Sequence, residues 1–369
     1  MRIGILTYHF GTNFGGQLQC YALMRTIENL GHTVTIINYT PNNDNINIKT
    51  DIINSCRILK YNLSFNGLRT ALFHLMYSKK MRMAFQNFKD NKLHIGEECT
   101  LVDFTQKYKD IDAIIVGSDQ VWAPAHHKSG AYFLNFNPQF KGRKISYAPC
   151  CAINRIDKEN KAQLKKLLSE FDNVSVRNTE TQYFVHELTG TIAPIVADPT
   201  LLYKFDEFSS YKTPKGKYIV VYILGEEICG GHKQTIEKIR KEYGKIPVYV
   251  VSLTSSKPKY FSWADKTFWA LDPEDWVAFI KNATFLYTDS FHGTVFAMKF
   301  HIPFIAYYAE EARASRFIDL KQRYKIDNII NSIENIENIK ELQPNFDMID
   351  KNNEAFIDKS IKYLKEALQ

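Results

Sequence analysis

The stretch Thr288 to Pro303, TDSFHGTVFAMKFHIP, sets His292 between an aspartate–serine pair and a glycine at the head of an apolar run. The pattern reads as a strand, a tight polar turn and a helix, which places His292 near a helix N-terminus. Unpaired N–H groups and the positive dipole end suit a phosphate or a carboxylate there. Gly293 would let such an anion approach the backbone. An imidazole, whose unperturbed pKa is about 6.5, can donate a proton near neutral pH. Asp289 stands ready to support the ring, or the histidine simply caps the helix or bonds to Asp289.

A second group lies near the N-terminus. In HFGTNFGGQLQCYAL, the glycines Gly11, Gly15 and Gly16 separate a strand from a helix, and Thr12, Asn13 and Gln17 add polar side chains. The spacing is not the GxGxxG of a dinucleotide site. IDAIIVGSDQVW reads as a strand ending in Gly117, Ser118, Asp119 and Gln120, and NVSVRN ends in Arg177. Ligands of open α/β sheets bind beyond the carboxyl ends of the strands. Arg177 could grip a phosphate or carboxylate through two parallel hydrogen bonds, or form an ordinary ion pair. Trp122 and Tyr132 are aromatic faces for a sugar, or core packing.

Alternating strand and helix signals surround these residues. RIGILTYH, the helix to Gly31 and HTVTIINYTP form a βαβ unit, and IDAIIVG, KISYAPC and NVSVRN continue the rhythm. KFDEFSSYKTPKGK has a linker's composition, and from Tyr218 a second strand–helix series begins. The reading is an α/β chain of two Rossmann-like domains facing across a cleft. Residues 1–203 form an N-terminal domain, 204–217 a linker, 218–345 a C-terminal domain carrying TDSFHG, and 346–369 a closing helix. Residues 51–92 interrupt the first series with basic, apolar residues at helical spacing, expected as one or two amphipathic helices. Such a segment can lie on an anionic membrane surface or pack on its parent domain with its lysines solvated.

At 369 residues, two domains fit the length. The net charge of +7 shows no single run of like charge, which argues against a nucleic-acid partner. It agrees with anionic small molecules. The six cysteines have no CxxC spacing, so neither zinc nor a disulfide framework is indicated and buried thiols are expected. The N-terminus lacks a signal peptide's apolar core and cleavage site. That reading places the protein in the cytoplasm, with the inner face of the membrane as the surface the basic segment would meet.

In order along the chain, GTNFGGQLQCYAL, VGSDQVW, ISYAPC, VSVRNTET, ADPTLL, TDSFHGTVFAMKFHIPF and RASRFIDL resemble the polysaccharide pyruvyl transferase family. The resemblance implies a GT-B-like fold. It also implies transfer of the carbon skeleton of phosphoenolpyruvate onto two hydroxyls of a sugar as a cyclic ketal, with release of phosphate. The acceptor it implies is a lipid-linked or nucleotide-linked precursor of a surface polysaccharide. No cofactor or metal is demanded, phosphoenolpyruvate being a co-substrate. By the same resemblance His292 matches the general acid and Arg177 a donor-binding arginine, with Ser290, Gly293 and Thr294 around the donor. Thr12, Asn13, Gly15, Gly16, Gln17, Ser118, Asp119, Gln120 and Trp122 then face the acceptor. Many members carry arginine where this chain has Ser290, and Lys299, Arg313 and Arg316 are the candidates to supply the missing charge. A glycosyltransferase using a nucleotide sugar and a non-catalytic saccharide-binding protein also fit the layout.

Overall fold

The computed structural model describes residues 1–40, 48–61, 63–210, 212–253 and 261–369, apart from the side chains of 48–50, 61, 66 and 311–313. The first half runs β1 (Arg2–Leu6), α1 (Phe14–Asn29), β2 (Thr33–Tyr39), α2 (Ile48–Tyr61), α3 (Phe65–Lys92), β3 (Ile95–Cys99), α4 (Phe104–Lys107) and β4 (Ala113–Val116). It continues through β5 (Arg143–Ser146), α5 (Lys158–Leu168), β6 (Asn173–Val174), α6 (Thr179–Thr189) and α7 (Pro199–Leu202). The second half runs β7 (Ile219–Tyr222), α8 (His232–Tyr243), β8 (Val248–Val251), β9 (Lys266–Phe268), α9 (Pro273–Lys281) and β10 (Phe285–Thr288). It ends with α10 (Phe291–Lys299), β11 (Phe304–Tyr307), α11 (Glu311–Tyr324), β12 (Ile329–Ile330) and α12 (Phe346–Ala367).

Short apolar strands such as AIIV, IVVY and FIAY are buried along their whole length. That is the pattern of parallel strands covered by helices on both faces. The first sheet has the order β3-β2-β1-β4-β5-β6 and the second β12-β11-β10-β7-β8-β9. Read from the other edge, the second order is the same as the first, so one topology is used twice without evident repetition of sequence. Each sheet reverses its strand order once, between β1 and β4 and between β7 and β10. Those switch points are where open α/β sheets bind ligands.

An aromatic joint fastens the halves together. Phe14, the first residue of α1, stacks on Trp276 of α9 at 5.3 Å and meets Tyr222 of β7 edge-on at 5.7 Å. The segment with a linker's composition is packed: Phe205 and Phe208 are buried against Tyr21. Helix α12 leaves the second half and returns to the first. There Tyr363 donates to the carbonyl of Ser146 at 2.9 Å, Ser360 accepts from the amide of Ala197 at 2.8 Å, and Arg143 donates to the carbonyl of Ala367 at 3.0 Å.

Candidate functional site

The two switch points meet at His292. Asn13 caps α1 by accepting from the amide of Gly16 at 3.1 Å, which fixes the first turn and with it Gly15. Ser290 caps α10 by accepting from the amide of Gly293 at 3.2 Å, which fixes His292 two residues on. The two helix starts are so close that a Cβ on Gly15 would lie 2.0 Å from Nδ1 of His292. Gly15 therefore makes room for the histidine itself, a different use from the ligand approach expected of it. Gly293 likewise has its missing Cβ filled by a neighbour: Thr288 Oγ1 would be 2.9 Å away.

The other edge of the ring faces a carboxylate that sequence reading did not single out. His292 Nε2 lies 3.4 Å from Oδ2 of Asp198, the residue that caps α7. The contact is not an aligned hydrogen bond and is an ion pair only when the imidazole is protonated; the buried Nε2 has no hydrogen-bond partner among the described residues. Asp198 also takes Arg177 Nη1 at 2.8 Å, the amide of Thr200 at 3.0 Å and its hydroxyl at 2.7 Å. Arg177 Nη2 reaches on to Asp119 at 3.3 Å, and its guanidinium sits over the ring of Phe291 at 4.7 Å. The result is a buried chain of polar contacts, His292–Asp198–Arg177–Asp119. Burial pushes the Asp198 carboxyl up, but His292, Arg177 and Thr200 overcome it and hold it well below the usual carboxylate range.

This arrangement changes the role open to Arg177. With two carboxylates against one guanidinium, it offers no surplus positive charge to an anion; it fixes Asp198, which in turn holds His292. Two further arginines stand next to it, together with Asp319. A small cavity of about 30 Å³ is walled by Arg177, Asn178, Phe291, Arg316, Asp319 and Arg323, among others. Arg316 is bound by Gln120, whose amide oxygen, oriented by this contact, accepts from both Nη atoms at 3.1 Å. Arg323 stacks over Phe356 at 4.0 Å and has no carboxylate within ion-pair distance among the described residues. Buried Nδ2 of Asn178 and Nε of Arg177 also lack partners there. Unsatisfied buried donors are uncommon in folded proteins, and several around one cavity mark a place for a polar ligand.

Other expected residues have structural work. Ser118 is fully buried, donating its amide to Gln19 and its hydroxyl to Ala148. Thr294 donates back to the carbonyl of Ser290 at 3.0 Å, which uses its hydroxyl proton, whereas Ser290 accepts from the amide of Gly293 and keeps its own O–H to donate. Asp289 binds the amides of Leu224 and Gly225 at 2.6 and 2.5 Å, tying the loop after β7 to the turn before α10; it is not the partner of His292. Gln17 donates to the carbonyl of Gly11 at 3.0 Å while its buried Oε1 is left unpartnered. Thr12 stands in the loop before α1.

Trp122 and Tyr132 are not sugar platforms. Trp122 is fully buried, stacked on Phe133 at 5.2 Å, with its indole N–H given to the carbonyl of Tyr132 at 2.9 Å; Tyr132 is buried beside it. Lys299 sits in the last turn of α10, away from His292, and donates to the carbonyl of Leu201 at 3.2 Å. Arg313 lies in α11, but its side chain falls outside the described residues. Of the two candidates whose side chains are described, Lys299 and Arg316, Arg316 lines the cavity. The cysteines also differ from expectation: Cys56 and Cys229 are exposed, and the other four are buried. Among the described residues no cluster of metal-ligating side chains occurs.

The family model for polysaccharide pyruvyl transferases matches residues 13–310. No curated protein matches the sequence. Among solved structures, UDP-N-acetylglucosamine 2-epimerase from Rickettsia bellii is 12% identical, with 100% of this chain and 96% of that one covered and a TM-score of 0.50. UGT89C1 from Arabidopsis thaliana is 13% identical over 100% and 99% of the two chains at 0.49. Escherichia coli heptosyltransferase WaaC with ADP is 12% identical over 95% and 100% at 0.42. At these identities the likeness concerns the fold: two Rossmann-like domains in the GT-B arrangement.

Proposed function

Because the chain belongs to the polysaccharide pyruvyl transferase family, we propose that it transfers pyruvate from phosphoenolpyruvate to two hydroxyls of a saccharide precursor, closing a cyclic ketal and releasing phosphate. The observation that carries this reading is His292, buried between two helix starts, paired to Asp198 and set beside a cavity lined by arginines.

The reaction starts when His292 gives its proton to the methylene carbon of phosphoenolpyruvate, whose double-bond electrons form the new C–H bond and leave a cation at C2. A sugar hydroxyl adds there and loses its proton. The C–O bond to phosphate breaks, the phosphate leaves with the bonding pair, and the second hydroxyl closes the ring with loss of its proton. One proton is consumed and two are released, so the histidine can be recharged within the cycle. Asp198, 3.4 Å from Nε2, fixes the orientation of the imidazole. Arg316 and Arg323 provide the fixed positive charge that phosphate and carboxylate require, with the amide of Asn178 as a further donor. Arg316 thereby serves where Ser290 carries no charge.

The decisive experiment incubates the protein with phosphoenolpyruvate and a panel of lipid-linked and nucleotide-linked sugars in D2O. The expected result is phosphate release together with an acceptor heavier by one pyruvate ketal whose methyl group carries deuterium. His292→Ala should lower the rate roughly 100-fold to 10,000-fold. Consumption of a nucleotide sugar instead, with nucleotide release, would make the protein a glycosyltransferase, and saccharide binding without turnover of any donor would make it a binding protein.

A further inference from the structure

The hairpin of α2 and α3 is amphipathic twice over. One face of α3 carries Met81, Phe85 and Phe88, which are buried. Phe85 packs on Phe14 at 4.9 Å, one residue from the glycine beneath His292. The hairpin is clamped internally, Arg82 binding both oxygens of Asp51 at 2.7 Å and Ser55 bonding to His74 at 2.9 Å. The opposite face is also apolar. Phe65, Leu68, Leu72, Leu75, Met76 and Met83 recur at helical spacing and are each between 43% and 73% exposed. Leu63, in the turn between the helices, is 91% exposed. A contiguous apolar stripe of this kind marks a surface that something covers.

Charge says what covers it. Residues 48–92 hold nine Lys and Arg against two acidic residues, Asp51 and Asp90, an excess of seven. That equals the net charge of the whole chain, so the remaining residues are balanced. No unbroken run of like charge occurs, yet the whole excess falls within the segment that forms this one hairpin. Arg69, Lys79 and Lys80 lie among and beside the apolar stripe of α3, while Asp51 is occupied by Arg82. Two copies meeting through this face would set lysines against lysines. An anionic lipid surface satisfies both features, taking the apolar stripe into the acyl boundary and the cations among the headgroups.

We propose that the outward face of the α2–α3 hairpin docks the protein on an anionic membrane surface. No helix of the described residues is long and apolar enough to cross a membrane, so the contact is interfacial. The inference is independent of the proposed reaction, because binding is measured without turnover. The test is co-sedimentation of the full chain with vesicles of phosphatidylcholine alone and of phosphatidylcholine mixed equally with phosphatidylglycerol. Binding to the mixed vesicles only is expected. The double variant K79Q/K80Q should weaken partition by about 30-fold, and L72N/M76N by on the order of tenfold or more. These side chains are exposed, so circular dichroism and melting temperature should stay unchanged, which separates lost docking from lost folding. Failure to bind the mixed vesicles, or equal binding to both kinds, would overturn the proposal. So would a concentration-dependent dimer, seen by light scattering, that L72N/M76N abolishes, for that assigns the face to a second copy.

Discussion

Asp198→Asn is the substitution that interrogates the site most directly. The asparagine is isosteric and its Oδ1 can still accept from the amide and hydroxyl of Thr200, bonds of 3.0 and 2.7 Å. Its amide group, however, would face Arg177 at 2.8 Å and His292 at 3.4 Å, setting donor against donor. At an effective dielectric of about 20, unit charges 3.4 Å apart interact by about 5 kcal/mol. Desolvation of the pair offsets much of that. Breaking one side of a buried ion pair usually costs roughly 3–5 kcal/mol, and both side chains of the Arg177–Asp198 pair are 3% exposed or less. In a chain of this size the expected fall in melting temperature is roughly 4–6 °C. The carboxyl lies below its ordinary value in the folded state, so its stabilisation is present above the ordinary carboxylate range and fades as pH falls toward the lowered value. Wild type should thus lose its stability advantage over Asp198→Asn in acid. For activity, kcat for phosphate release should drop on the order of 100-fold or more with little change in KM, since the loss lies in orienting the acid. A double-mutant cycle with His292→Gln supplies the refutation. If the two residues act as a unit the double variant will be little worse than His292→Gln alone; fully additive losses in kcat, or a normal kcat in folded Asp198→Asn, would show that Asp198 is merely structural.

Three further outcomes are expected. Gly15→Ala would place a methyl 2.0 Å from Nδ1 of His292, so the ring must move; a displacement of about 1 Å should cost kcat roughly 100-fold, and a chain that folds and turns over normally would show that the ring position is unimportant. Arg316→Gln, if this arginine holds the donor's anionic groups, should raise KM for phosphoenolpyruvate by about tenfold or more while leaving saccharide binding intact. Lys299, pulled down to about 8 by burial against the opposing effect of Asp206, should make stability rise with pH between about 8 and 10.5. Its charged form weakens the fold at pH 7 by roughly 3 kcal/mol, so Lys299→Met should gain about 2 kcal/mol in urea unfolding, after loss of the hydrogen bond to Leu201, and lose the pH slope, with activity retained.

The fold was legible because its signals are local. Fully buried strands such as AIIV and IVVY read as continuous apolar runs, and the Asn13 and Ser290 caps follow from residue type and position. Legibility failed where a residue's environment comes from distant chain. Trp122 follows a polar turn, so its neighbours suggested a rim; its burial is supplied by Phe133, Phe171 and Phe184. Gly15 and Gly293 carried no sign that the missing atom's space belongs to a neighbouring side chain rather than to a ligand.

Asp198 is the instructive omission, and its invisibility has the same cause as its importance. The carboxylate is 94 residues from His292 and 21 from Arg177 in the chain, and its local signature, Asp-Pro-Thr at a helix start, is explained in full by the capping of α7. The same oxygens that satisfy a cap lie within reach of a guanidinium and an imidazole once the two sheets close on each other. A buried arginine found in sequence is naturally assigned to an anionic substrate, yet Asp119 and Asp198 already neutralise it. The surplus positive charge a dianionic donor would need must then come from another element. Under the proposed reaction the candidates are Arg316 and Arg323 of helix α11, which line the cavity together with Arg177. On this division of labour, loss of Arg177 should damage kcat and stability together, whereas loss of Arg316 or Arg323 should appear chiefly in KM. Kinetics of Arg177→Gln and Arg323→Gln measured side by side, together with their melting temperatures, decide it. A pure KM effect from Arg177→Gln at unchanged melting temperature would return that arginine to the donor and refute the assignment.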